Sequence, residues 1–429
     1  MNRRHFIRLC GKALAALGLA SLFPKREAEA AAAIQAPRQI IARDMTRRTI
    51  MWDAPSLFAR AYVEIRAEGA AQRFDAAYDW SELQGEGRFH YAAAIPELKP
   101  NTAYTYRIIL GDAATDWLPL SAGAGEDAPF EALIFADSQC TDFSILRDFL
   151  QKAFRRHPDA NFFAVDGDLV DNGEIPSYWT NFLASISPYA SRLPFVPVMG
   201  NHECYGADWK NALPAGYLAA FAVPENGSTR FRRYYYSFDY GAVHFIVLNT
   251  QFQELDALRP GLYLEELSWL KADCAASKKP WKVVLMHKDV LAYDEYQPGT
   301  GQTGGISDVG NAFMASFDAL GVDLVLTGHM HTYRNRGHIF AKKPSEHGPV
   351  YVMSGPAGDQ RYFVPPDTTY DRHSMDQSDV TNFRNYLVLK ADVKTLAATC
   401  YQEDGTAVDS VKLEKPMLQH STKHRFVYR

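Results

Sequence analysis

The sequence predicts an α/β protein preceded by a small all-β sandwich. Three observations predict it. Short segments rich in β-branched and aromatic residues, separated by turn signals, fill residues 36–122. From Phe130 onward, apolar runs of strand length alternate with helical stretches. Five of those runs (EALIFA, NFFAV, FVPVM, KVVLM and VDLVLT) are each followed by polar residues of the kinds that hold cations. In an open α/β sheet the carboxyl ends of the strands are where ligands bind.

The elements follow in chain order. Residues 2–8 (NRRHFIR) pair two arginines with Phe-Ile, an apolar stretch interrupted by Lys12 runs over 9–23, and Ala28-Glu29-Ala30 supplies small residues for cleavage. Residues 1–33 therefore resemble a twin-arginine export signal, and the mature protein is expected to be periplasmic or extracellular. No later segment approaches the roughly 18 apolar residues of a membrane span, so the mature chain is expected to be soluble. RQIIARD, RTIMWDA, RAYVEIRA, FHYAAAI and TAYTYRIIL read as sandwich strands, with turns at Pro100-Asn101 and Gly111-Asp112. Residues 121–129 (SAGAGEDAP) read as a linker.

Beyond the linker, helices are expected over 143–155, 178–186, 262–275 and 312–320. Residues 234–250 read as a hairpin turning at Asp239-Tyr240-Gly241. VYVMS, NYLVLKAD, LAATCYQ and AVDSVKL add strands near the end. Two polar or glycine-rich loops, 296–310 and 358–382, follow apolar strands and are placed to overhang their ends.

Composition excludes little beyond polyanion binding. The chain has 429 residues, 47% hydrophobic and 22% charged, with a net charge of -5. That balance is ordinary for a globular protein and argues against nucleic acid as a stable partner. Cys10 falls within the signal; Cys140 and Cys204 each directly follow a polar motif, which makes a bridge conceivable. So few cysteines in a long chain make no disulfide framework, and four unpaired small hydrophobes are the preferred reading.

The strand-end motifs are Asp137-Ser138-Gln139, Gly167-Asp168, Gly200-Asn201-His202-Glu203, His287 and Gly328-His329-Met330-His331. Singly, Asp-x-Gln and Gly-Asp are weak, since Asp is common at turns, and a lone histidine is usually structural; Gly-Asn-His-Glu is more specific and Gly-His-x-His more so. His329 and His331, two apart on extended chain, can reach one site. Together, in order and in one domain, they suit phosphate-ester chemistry. Attack on a phosphate brings one anion towards another, and two cations about 3.5–4 Å apart lower that repulsion and acidify water. A bridging carboxylate holds such a pair, and neutral His and Asn ligands leave room for an anionic substrate. A histidine titrating near neutrality suits proton delivery to the leaving oxygen.

This motif series resembles that of the calcineurin-like metallophosphoesterases, over Phe130 to about Lys415. LKPNTAYTYRI, YYSFDYGAVHFIVLNT and GHMHTYRNR are similar to segments of the purple acid phosphatase branch. The resemblance implies a four-layer αββα sandwich over 130–415, a fibronectin-III-like sandwich over 36–122 and a C-terminal tail over 416–429. It implies two metal ions, iron, manganese or zinc. Asp168 would bridge them; Asp137, Gln139 and His331 would serve one ion, and Asn201, His287 and His329 the other. His202 would assist the leaving group, with Glu203 and Asp171 orienting these side chains.

The chain also departs from the branch. A tyrosine is expected three residues after the bridging aspartate, where this chain has Asp171, so tyrosinate-to-iron colour should be absent. Gln139 replaces a histidine, which tilts preference towards manganese or iron. Asn335, flanked by Arg334 and Arg336, stands where the branch has arginine. The implied function is an exported phosphomonoesterase acting through metal-generated hydroxide. A phosphodiesterase or nucleotidase is the runner-up, and a non-catalytic binding protein the remote alternative. His244 is expected to be structural. Tyr362 and His373 are the expected visitors to the site from the late loop.

Overall fold

The computed structural model describes residues 33–78, 88–123, 125–292 and 305–415. The predicted export signal, most of the 296–310 loop and the 416–429 tail lie outside the described residues.

Two large sheets form the centre. In the first, the strands Phe130–Phe135, Phe162–Asp166 and Pro194–Val198 run parallel, and the antiparallel strands Asn385–Ala391, Thr395–Gln402 and Ala407–Glu414 extend one side. In the second, Val243–Val247, Trp281–Leu285, Leu324–Thr327 and Val350–Met353 run parallel, and Tyr236–Tyr240 closes the predicted hairpin against Val243–Val247. Parallel strands covered on both faces must be apolar on both faces. The continuous runs in the sequence are those strands.

Side-chain alternation assigns each face. Phe130 and Phe162 point towards the second sheet, where their rings meet Tyr240 at 5.1 and 4.9 Å. Phe135 and Phe163 point the other way, onto Phe149 and Phe154 of the helix Phe143–Arg156. The helix Pro176–Ala190 covers the same outer face through Phe182 against Phe195. Leu262–Ala276 and Asp308–Leu320 cover the second sheet, packing Leu270, Phe313 and Phe317 with Ile246, Val284 and Val325. Helix, sheet, sheet, helix is the expected four-layer order. The helices expected over 143–155, 262–275 and 312–320 end within a residue of the observed ones; Asp308–Leu320 starts earlier because Ser307 caps it, accepting from Gly310 N.

The N-terminal strands form the expected sandwich around a separate core that includes Trp52, Tyr91 and Tyr106. One of its sheets is not independent. Gln35–Ile41 pairs in parallel with Pro194–Val198, so Arg48–Ala54 and Phe89–Ile95 continue the first central sheet to ten strands. Gln39 and Tyr106 both donate to Ser191 O, at 3.0 and 2.7 Å, and tie the sandwich to the end of the adjoining helix. The sandwich's other sheet includes Ala70–Asp75, a strand without apolar alternation because its face is exposed. Cys140, Cys204, Cys274 and Cys400 are buried and free, so the conceivable Cys140–Cys204 bridge is not formed.

Candidate metal centre

Every motif residue follows the C-terminal end of a parallel strand, and the two sheets bring those ends together. The backbone turns sharply there. Asp137, Asp168, His329 and His331 hold φ at 53°, 51°, 78° and 51°. Such left-handed conformations cost about 1–3 kcal/mol each and persist where the surroundings over-determine them.

The surroundings are specific. Asp137 O accepts from Ala357 N and Gly358 N at 3.2 and 2.9 Å, and Asp137 Oδ1 accepts from His329 N at 2.7 Å. The Glu203 carboxylate accepts from four backbone N–H groups, those of Asp168, Leu169, Val170 and Gly200, at 2.7–3.2 Å. Glu203 thereby clamps two strand-end loops in one geometry. The backbones pack so closely that side chains are excluded. A Cβ on residue 200 would stand 2.1 Å from Asp168 Oδ1, and one on residue 355 would stand 2.4 Å from Asp137 Oδ2.

The imidazoles are turned to present lone pairs. His287 Nδ1 donates to Asp166 O at 2.8 Å, which leaves Nε2 unprotonated in the neutral ring. That nitrogen faces Asp168 Oδ2 at 3.0 Å, Asn201 Oδ1 at 3.0 Å and His329 Nδ1 at 3.2 Å. Atoms of Asp168, His287 and His329 all lie within 4.8 Å of one another. On the other side, His331 Nδ1 donates to Gln360 O at 2.9 Å, so its Nε2 lone pair points to Gln139 Nε2 at 3.2 Å and towards Asp137 Oδ1 at 3.7 Å. Among the described residues, Asp137 Oδ2 and Gln139 Oε1 are buried without a hydrogen-bond partner.

Electrostatics follow from this geometry. Burial, then Asp168, pushes the Asp137 carboxyl well above its usual range. Burial also opposes ionisation of Asp168, but His287 and His202 outweigh it and hold its carboxyl low. Burial lowers His331 to about 4 and His329 well below its ordinary value, so both are neutral. The Asp168 carboxylate, 3.0 Å from His287 Nε2, also acts to raise both Asp137 and His331, members of the other ligand group. Burial and then Asp168 push the Glu203 carboxyl up to about 8, against the backbone donors that favour its anion.

Lone pairs aimed at one another, buried orphan oxygens and a mixture of carboxylate, amide and neutral imidazole donors fit cations of hard or borderline character. All seven expected ligand residues are brought together. Gln139, with its nitrogen towards His331, offers its oxygen only after a half-turn of the amide. His202 stands apart: Nδ1 donates to Asp171 O at 2.6 Å, and Nε2 lies 3.8 Å from Asp168 Oδ2. Burial lowers the basicity of His202, but Asp168 and its other partners outweigh burial and raise it.

Residues 131–333 match the family model described as calcineurin-like phosphoesterase. The domain is a calcineurin-like phosphoesterase. Purple acid phosphatase 21 of Arabidopsis thaliana is 28% identical over 281 residues, covering 64% of this chain and 59% of that protein. Phosphoenolpyruvate phosphatase of Allium cepa is 26% identical over 327 residues, covering 72% of this chain and 63% of that one. Among solved structures, purple acid phosphatase PPD1 from yellow lupin seeds shares the fold, with a TM-score of 0.68, 20% identity and coverage of 90% of this chain and 75% of that one. The phosphoesterase domain thus falls in the purple acid phosphatase-like branch, and the chain spans about 59% of the first relative's length.

Around the phosphoesterase centre, the late loop contributes as expected through Tyr362, whose ring stacks on His331 at 4.0 Å. His373 pairs with Asn335 on the neighbouring strand, and its ring is 6.4 Å from that of Tyr333. Gln360 escaped sequence reading. Its carbonyl orients His331, and its amide donates to Asp171 Oδ1 at 2.6 Å. Asp171, in the place of the branch's tyrosine, thereby faces Gln360 and lies 3.7 Å from His202 Nδ1. Arg334 and Arg336 are buried against Asp371 and Asp289, which removes them from phosphate binding; Asn335 donates to Asp409 Oδ2 at 2.7 Å. Glycine at 355, just past VYVMS, also escaped notice, because its necessity arises from a contact distant in sequence.

Proposed function

We propose that this protein is an exported, metal-dependent phosphatase that hydrolyses phosphate monoesters. One observation carries the reading: buried carboxylate, amide and imidazole donors on two sheets converge, while one protonatable histidine stands beside them without joining them. Cations bound there supply charge neutralisation at the phosphate and activation of water.

The chain's own residues do the rest. Asp168 would serve both ions. Asp137, Gln139 and His331 would hold one, and Asn201, His287 and His329 the other. Glu203 keeps the loops bearing Asp168 and Asn201 in register. His202 is oriented by Asp171 O on its Nδ1–H. Its Nε2–H is left to protonate the ester oxygen as the P–O bond breaks, while water adds OH to phosphorus and the water's remaining proton restores His202.

Export is proposed from residues 1–33 alone; among the described residues no helix is long and apolar enough to cross a membrane. The reading is tested by stripping the protein with chelator and adding back manganese, iron or zinc. Hydrolysis of 4-nitrophenyl phosphate should return with at least one metal and exceed that of bis(4-nitrophenyl) phosphate. No hydrolysis with any metal would sink the enzyme reading, and faster cleavage of the bis-ester would favour a phosphodiesterase.

A further inference from the structure

The turn after Gly200-Asn201-His202-Glu203 holds a residue that the proposed reaction does not use. Trp209 is 56% exposed and keeps φ at +62°. A bulky side chain in left-handed backbone is a steric outlier. An exposed ring recovers little of that strain through burial, so folding alone does not account for it.

The turn is nonetheless pinned. Gly206 N donates to Lys210 O and Trp209 N to Gly206 O, both at 2.8 Å. Ala207 N donates to Glu174 Oε2 at 2.9 Å, and Asn172 Nδ2 to Gly206 O at 2.8 Å. The indole is therefore presented from an anchored loop. Its ring stands 6.0 Å from that of His202 at 88°, and 6.2 Å from that of Tyr205. Tyr205 in turn stands 5.8 Å from His202 at 77°.

Single exposed aromatics are ordinary. Here exposure, backbone strain, an anchored turn and contact with His202 coincide. If His202 protonates the departing oxygen, whatever is bonded to that oxygen must extend past His202. The aromatic rings packed against His202 are those of Trp209 and Tyr205. A flat ring gains by stacking on or against them, whereas a small aliphatic alcohol leaves them unused.

We propose that Trp209, backed by Tyr205, forms a leaving-group subsite for phosphate monoesters of aromatic alcohols. This rests on the phosphatase reading and adds to it a substrate class. Trp209→Ala is expected to fold, since it removes an exposed ring from strained backbone, and a thermal melt checks this.

The test uses the full chain loaded with metal, as wild type, Trp209→Ala and Trp209→Phe. Calorimetry compares binding of phenylphosphonate with methylphosphonate, and kinetics compares phenyl phosphate with methyl phosphate. In Trp209→Ala the phenyl-to-methyl ratio should fall about tenfold in both affinity and kcat/KM, carried by KM, the size expected for one aromatic pair. Trp209→Phe should keep most of the ratio. An unchanged ratio, equal losses for both compounds, or no binding of phenylphosphonate to the wild type overturns the subsite. Hydrolysis with an unchanged ratio would sink the subsite and leave the phosphatase reading standing. Loss of phenyl preference in binding, in a protein that hydrolyses nothing, would do the reverse.

Discussion

The sandwich and the metal centre each bury an aspartate almost completely, and they treat it in opposite ways. In the sandwich, Asp53 is 1% exposed and meets Arg38 at 2.9 Å, His90 at 2.8 Å and Arg88 at 3.7 Å. Positive charge from the chain itself surrounds it. In the centre, Asp137 and Asp168 are equally buried, but among the described residues no arginine or lysine pairs with either; their neighbours are imidazoles, two of which burial keeps neutral, amides and one another. A protein able to complete one buried polar cluster has left another incomplete. The difference teaches that the missing positive charge in the centre is to be supplied by cations.

The strongest way to break that comparison is Asp168→Asn. It removes the one charge proposed to serve both ions, so bound metal, measured by elemental analysis, should fall below half the wild-type content. Unchanged content would refute the bridging role. Next, His202→Ala should spare metal content and slow turnover by roughly 10²–10⁴-fold. The loss should shrink for 4-nitrophenyl phosphate, whose leaving group needs no proton; an equal loss for alkyl esters would argue against proton delivery.

The sandwich cluster offers the counterpart. Arg38→Met should leave Asp53 short of its chief partner and destabilise the protein by about 3–5 kcal/mol in denaturant unfolding, with metal content preserved. A loss of metal instead would show that the two clusters are not independent. Gln139→His is a smaller perturbation that sharpens ligand choice: zinc should compete better against manganese in metal competition, because imidazole replaces an amide oxygen.

The smallest effect concerns a third buried group. His244 is gripped by Asp239 at 2.7 Å and Asp273 at 2.9 Å. Burial alone would lower its pKa, but these two carboxylates raise it to about 9. A histidine raised in the folded state stabilises fully below its ordinary value near 6.5, and that contribution is lost as pH rises through 9. Wild-type stability should therefore fall by about 3 kcal/mol between those values, and the fall should flatten in His244→Gln. An identical slope in the variant would remove His244 as the cause.

Much of the site was legible because its residues follow strands, and strands announce themselves locally. EALIFA, NFFAV, FVPVM, KVVLM and VDLVLT are apolar on both faces because they are parallel and covered on both faces. The turns after them carry the ligands. Gln360 was not legible, since no periodicity marks a loop carbonyl that accepts from an imidazole 29 residues away. Trp209 was not legible either, because its meaning lies in its distance from the His202 ring.

What the sequence determined by itself was the alternation of strands and helices and the chemical identity of the donors, because both depend on short-range pattern. The tertiary structure decided the rest. It joined the sandwich to the central sheet through Gln35–Ile41 and Pro194–Val198, residues far apart in the chain. It used Glu203 to lock two loops together. It left Asp137 Oδ2 without a partner among the described residues. These are consequences of long-range packing, which brings distant strand ends to one point and settles which polar groups are satisfied there and which are kept open.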